Sequence, residues 1–363
     1  MIIYRPTENI GLGLQSESNN ERSIPLTRHT FKSLTSRLSK AGFTNEFFRS
    51  AILPDWWDDD CREDPRLLQD IEIRIARFLG QSLAEIKDPS MRLAAPAYPG
   101  AQLRRVKDID RDRLGPAIHS GMRIAAAVVR SLRETVPNVT IPPADGLAWR
   151  NLIQHTGPSI TLKDVTQDLW IRGIPVIPLD VLPVPSFQGL AGIVEGRPVI
   201  LLGHRHDEPG RLAFVVSHET GHVAAGDCTP DQPVVDEDEE TSDNSQMELK
   251  ADQYANRVLI GSDNVPPLDS GSFKDLARRA AELERQTGAN ASTVLFSWAR
   301  RVDSPDSYQK ATLAIRALYR SAGARRQLRQ LFDEYVDVNA ATETDRALLR
   351  CVFGEPERHE ATV

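Results

Sequence analysis

A chain of 363 residues, 40% hydrophobic and 26% charged, has the make-up of a globular protein, long enough for two or three domains whose cores need no disulfide support. Forty-four Lys and Arg against 51 Asp and Glu leave a net charge of -7, which argues against a surface built to track a phosphate backbone. Three scattered cysteines, Cys61, Cys228 and Cys351, signal neither a disulfide framework nor a cysteine zinc cluster, and no apolar run reaches the length of a membrane span.

Residues 1–25 read as a polar leader after a candidate short strand at Met1 to Tyr4. They lack a basic segment followed by an apolar core and a small-residue cleavage site, so a cytoplasmic location is expected. From Leu26 to Phe48, apolar residues at Phe31, Leu34, Leu38 and Phe43 predict an amphipathic helix broken at Gly42 and a second, shorter one. Arg28, Lys32, Arg37 and Lys40 keep a helix-turn-helix in play, with a packed helical hairpin as the plainer outcome. In "ILPDWWDDDCREDP", Trp56 and Trp57 beside a block of acids either form a recognition surface or seat a turn on the core. An amphipathic helix is predicted over 66–86, and Pro89, Pro96 and Pro99 then mark a boundary or linker. The basic stretches 102–113 and 319–330 are laced with acids or with apolar residues at helical spacing, which predicts solvated helix faces. Direct DNA binding is therefore not expected, and neither is a membrane.

A strong helix is predicted over 117–134, and a shorter one over roughly 145–155 after Pro142 and Pro143. In "TLKDVTQDLWIRG", Thr161 suits an N-cap with Asp164 three residues on, and Gly173 ends the element. The period then changes: 174–182, 191–196 and 197–203 are short, β-branched and punctuated by Pro and Gly, the last two fit to pair as a hairpin around Glu195 and Gly196. A helix is predicted from Pro209 or Gly210 to Gly226, a solvated acidic loop over 234–245, a helix from Gln246 closed by Gly261, and four or five more between 272 and 353. The fold class is α+β: a mostly helical chain with a small mixed or antiparallel sheet in a central domain. The expected division is a leader (1–25), an N-terminal helical region (26–116), a central domain (117–265) and a C-terminal helical domain (266–363).

The chemistry concentrates in "LAFVVSHETGHVAAGDC", residues 212–228. Positions four apart share a helix face, so His218 and His222 can both present a ring nitrogen to one ion, with Glu219 one step away to hold a water. The competing reading is two surface histidines four apart by chance. The apolar lead-in Leu212, Phe214, Val215 and Val216 favours a buried helix. A catalytic zinc site takes three protein ligands and a water, and Glu248 on the next helix is the best candidate for the third. Asp252, four residues on, is placed to accept the second ring proton of a ligating histidine. Solvated roles for Glu248 and Asp252 are the alternatives. His204 and His206 are candidate substrate or oxyanion contacts, against the plainer reading of loop histidines, and Asp227 is a candidate substitute ligand. Tyr254 points away and suits core packing. The implied reaction is peptide-bond hydrolysis with Glu219 as general base.

"FVVSHETGHVAAGD" followed by "ELKADQYANRVLI" resembles the ImmA/IrrE family of zinc metallopeptidases, a gluzincin-like group whose His-Glu-x-x-His helix is paired with a downstream Glu-x-x-Ala-Asn/Asp helix. Glu248, Ala251, Asp252 and Ala255 match that pattern. Tyr254 stands where Phe is usual, and Gly261 where Pro is expected. The resemblance spans about Ile118 to Gly261 and implies a zincin-like central domain with His218, His222 and Glu248 as zinc ligands and Glu219 as base. It also implies a bacterial or phage cytoplasmic protein that cleaves a regulator such as a DNA-binding repressor, with activity that in some members is latent. A non-catalytic interaction protein, an antitoxin or scaffold on the same fold, is the alternative from another class. A DNA-binding regulator with an attached sensor domain is the third. Retention of Glu219 favours catalysis, since a structural metal site needs ligands and no base.

Overall fold

A computed structural model describes residues 29–98, 102–103, 108–154, 157–203, 207–230, 232–236, 246–265, 267–268, 271–302, 304–319 and 323–353. The polar leader and the strand expected at its start lie outside the described residues. So do His204, His206 and positions 237–245 of the acidic run.

The N-terminal helices are α1 (Phe31–Lys40), α2 (Asn45–Ala51), α3 (Pro65–Leu79) and α4 (Leu83–Lys87). The single helix expected over 66–86 is two. Gly80 takes a left-handed conformation (φ 67) that ends α3, and Ser82 restarts the chain with a capping box to Glu85. Trp57 stacks on Phe31 at 5.2 Å and seats the turn, whereas Trp56 is 53% exposed. The next helix, α5 (Asp108–Arg130), starts nine residues earlier than the sequence indicated and runs through Pro116. Then come α6 (Gly146–Leu152) and α7 (Leu162–Ile171), the latter with the expected Thr161 capping box to Asp164 and Gly173 beyond its end.

Strands β1 (Gln102–Leu103), β2 (Val176–Pro178), β3 (Gly189–Val194), β4 (Arg197–Leu202) and β5 (Val234–Asp236) form one mixed sheet in the order β1-β5-β3-β4-β2. β3 and β4 pair antiparallel from Gly189↔Leu202 to Val194↔Arg197. Glu195 and Gly196, both at positive φ, make the tight turn expected there. The run expected as a solvated loop from 234 onward instead begins as a strand. Val234 and Val235 are buried, and β5 pairs antiparallel with β3 and parallel with β1. Because both faces of the sheet are covered, its strands are apolar without alternation. Ile177, Leu190, Leu201 and Val235 join the core built with α1–α5 and the last helix, α14 (Glu343–Phe353). Val176, Ala191, Ile200, Leu202 and Val234 join the opposite core.

That second core contains α6, α7, α8 (Pro209–Ala225), α9 (Gln246–Ile260), α10 (Phe273–Thr287), α11 (Ala291–Val302) and α12 (Pro305–Leu318), while α13 (Ala324–Tyr335) reaches α7 and β2. α14 packs on α2 and α5, so the chain's last helix closes the first core. In the basic stretch 319–330, Arg325 pairs with Asp180, and Arg329 lies over the Phe353 ring at 4.8 Å and 3.6 Å from Asp333. Among the described residues no helix is long and apolar enough to cross a membrane.

Candidate metal centre

Local sequence fixes the helix that carries the motif. Glu208 caps α8 by accepting from the backbone N–H groups of Gly210 (3.0 Å) and Arg211 (2.6 Å), Pro209 fills the first turn, and Gly226 ends the helix at φ 77. The left-handed turn at Gly226 folds the chain back, with the Asp227 N–H donating to the His222 carbonyl at 3.0 Å. Nearly the whole surface of α8 from Gly210 to Val223 is buried, against the sheet, α7, α9 and α11. Two close approaches make this possible. A Cβ on Gly210 would lie 1.9 Å from Ser292 Oγ of α11. One on Gly221 would lie 3.2 Å from both Ala251 Cα and Tyr254 Cβ of α9. The glycine inside the motif thus lets α9 come near enough for Glu248 to meet the two histidines.

His218, His222 and Glu248 form a buried group whose ligand atoms all lie within 4.8 Å of one another, and it could hold a metal ion. His218 Nε2 is 3.2 Å from His222 Nε2 and 3.2 Å from Glu248 Oε2, and His222 Nε2 is 3.5 Å from Glu248 Oε1. Their exposures of 1%, 1% and 3% remove these atoms from bulk water. Each imidazole is held from behind: His218 Nδ1 lies 2.8 Å from Asp252 Oδ1, and His222 Nδ1 lies 2.9 Å from Asp227 Oδ2. Carboxylates accept, so both Nδ1 atoms donate, and both Nε2 atoms turn toward Glu248. Three potential ligand atoms facing one point fit a cation. Asp252 and Glu248 favour positive charge here: burial works against the charged form of His218, but its hydrogen bonds to these two carboxylates outweigh this and raise its pKa to about 10, so a cation would take the place of the proton on its Nε2.

Glu219 is fully buried at 0% exposure and sits against the first residue of β3, where a Cβ on Gly189 would come within 2.2 Å of its Oε1. Asp252 joins the site as expected of an orienting carboxylate. Asp227, read from the sequence as a candidate substitute ligand, instead touches the far ring nitrogen of His222, on the side away from the three ligand atoms. Tyr254 packs in the core, stacked near Trp149 and donating to the Pro143 carbonyl at 2.9 Å. One contributor was not foreseen. Arg300 of α11 donates from Nη2 (3.0 Å) and Nε (3.2 Å) to Asp252 Oδ1 and lies 5.2 Å over the Phe214 ring, so α11 braces the carboxylate that braces His218. Its signal was the helix "ASTVLFSWARRV", apolar on nearly every face, within which an arginine must find an acid. Burial and the Glu219 and Asp227 carboxylates push the nearby Cys228 thiol up to about 12, so it stays a neutral thiol.

No family model, curated protein or solved structure matches the chain. Gly221→Val is expected to cost about 1–3 kcal/mol in overpacking and, by pushing α9 off α8, to lower metal affinity in a chelator-competition titration. Unchanged affinity would show that α9 contributes no ligand.

Proposed function

We propose that the chain is a zinc-dependent endopeptidase that hydrolyses a protein partner. The observation that carries this reading is Glu219, a fully buried carboxylate on the same helix as His218 and His222 and adjacent to His218 in the chain. A site that served only to hold an ion would gain nothing from a fourth acid that the ligand set does not need.

The donor set supports zinc among metals. At zinc–nitrogen distances of about 2.0–2.1 Å and tetrahedral angles, two ligand atoms lie about 3.3–3.4 Å apart. The two Nε2 atoms here lie 3.2 Å apart, close to that spacing, and each has one Glu248 oxygen within 3.5 Å, Oε2 for His218 and Oε1 for His222. Two imidazoles and one carboxylate leave a fourth tetrahedral position, the arrangement of catalytic rather than structural zinc. When bound, the ion supplies Lewis acidity toward the scissile carbonyl and toward water.

The rest falls to the chain. Asp252 and Asp227 keep the Nδ1 protons on His218 and His222, so both rings already turn their Nε2 atoms toward the place of the ion. Glu219 takes a proton from the attacking water and delivers it to the leaving amine. Gly189 keeps the β3 backbone clear of that carboxylate. The likeness of residues 214–227 and 248–260 to the ImmA/IrrE pattern further supports a regulatory protein, such as a repressor, as substrate, and a cytoplasmic setting.

The full chain loaded with one equivalent of zinc is expected to cleave its protein partner, to stop when 1,10-phenanthroline strips the metal, and to resume on zinc addition. Cleavage that continues in the stripped protein removes the metal from the mechanism.

A further inference from the structure

His119 lies outside the metal centre, on α5, and the proposed chemistry makes no use of it. Its ring is 4% exposed and bridges two other parts of the N-terminal region. Nε2 is 2.7 Å from the Phe78 carbonyl near the end of α3, and Nδ1 is 3.4 Å from the hydroxyl of Tyr98, in the segment that follows α4. The Phe78 ring meets the imidazole edge-on at 5.0 Å. A carbonyl only accepts, so Nε2 carries the proton of the neutral ring and Nδ1 is left to accept from the Tyr98 hydroxyl. α5 itself is seated on the sheet: a Cβ on Gly121 would lie 3.0 Å from Leu201 and 3.1 Å from Phe187. His119 therefore ties α3 and the chain after α4 to a helix that the sheet holds in place.

This setting suits an uncharged imidazole and opposes a charged one. A second proton would turn Nδ1 from acceptor to donor and force the Tyr98 hydroxyl to reverse its role across a long contact. Charge compensation is lacking on each side of the ring. α3 turns to it a carbonyl and an aromatic edge, the segment after α4 turns to it a hydroxyl, and the charged group that acts on it, Arg123 one turn along α5, is positive and repels. Burial and Arg123 outweigh the Phe78 carbonyl and lower the His119 pKa from its usual 6.5 to about 4. A buried imidazolium without an acid partner is costly, and opening the contact to water relieves it.

We propose that His119 is an acid-sensitive latch, whose protonation releases α3 and the segment after α4 from α5. Phe78 belongs to the first core, whereas α8 and α9 lie in the core on the opposite face of the sheet, so the metal centre stays closed while the latch opens. The opened chain takes up the proton near pH 6.5 and the latched form only near pH 4, so the latch is fully closed above about pH 7 and weakens as the pH falls toward 4. These two values correspond to a roughly 30-fold loss in the closed-to-open ratio between pH 7.5 and pH 5.

Hydrogen exchange on the full chain tests this. Between pH 7.5 and pH 5, protection factors of the α3 amides, corrected for intrinsic rates, are expected to fall by roughly 30-fold, and those of α8 to change far less. His119→Gln keeps an N–H for the Phe78 carbonyl but has no proton to gain, so its α3 protection is expected to stay nearly flat over the same range. An NMR titration of His119 in the wild-type protein is expected to have its midpoint below pH 5, which decides the matter even if the variant fails to fold. A midpoint near 6.5, an equal loss of protection in α3 and α8, or the same loss in the His119→Gln protein would overturn the assignment.

Discussion

Glu219→Gln is expected to slow hydrolysis of the protein partner by about 10²–10⁴-fold, the range that a positioned acid–base group contributes, while one equivalent of zinc stays bound. The amide has the shape of the carboxylate, so it fits the same space against Gly189 and leaves His218, His222 and Glu248 where they are. What it loses is the capacity to take a proton from water and return it to the leaving amine. Two measurements on one preparation separate the possibilities: single-turnover cleavage rate and metal content. Loss of zinc would move Glu219 into the ligand set. A rate within a few-fold of wild type would show that the proton goes elsewhere and would leave the buried carboxylate without a chemical role. Since the variant keeps every ligand, it is also the form most suited to trapping the partner whose identity the sequence does not reveal.

Much of the candidate centre was legible because its determinants are local. Pro209 and Gly226 bound α8, Gln246 and Gly261 bound α9, and the helical repeat alone puts His218 with His222 and Glu248 with Asp252. The hairpin turn at Glu195 and Gly196 was equally local. What escaped is non-local or depends on backbone direction. Arg300 reaches Asp252 across 48 residues, and nothing near either position says which of many acids a buried arginine will choose. Asp227 carries the right atoms for a ligand. Only the turn imposed by Gly226 decides that its carboxylate meets Nδ1 rather than Nε2 of His222. Gly189 lies before the strand expected over 191–196, and its role depends on Glu219, which approaches it from 30 residues away in the chain. The start of β5 was hidden by the acids that follow it, since Val234 and Val235 are too short a run to read as a strand without the neighbours that bury them.

Phe214→Ala is expected to destabilise the fold by about 3–5 kcal/mol, the usual cost of truncating a buried aromatic ring, and also to weaken zinc binding. The ring is 1% exposed. It meets Phe296 of α11 edge-on at 5.5 Å, lies under the Arg300 guanidinium at 5.2 Å and stacks near His218 at 6.3 Å. One side chain therefore holds α11 to α8 and sets the plane of the arginine that anchors Asp252. Phe47→Ala provides the comparison: Phe47 is equally buried, at 1%, but packs against Phe43 and Phe78 in the opposite core. Both variants should lower the denaturation midpoint to a similar degree, and only Phe214→Ala should shift the zinc dissociation constant, measured at a denaturant-free temperature where both are folded. If the two variants bind zinc equally, the link from α11 through Arg300 and Asp252 to His218 carries no weight at the metal. Phe214 would then be a core residue that happens to lie beside it.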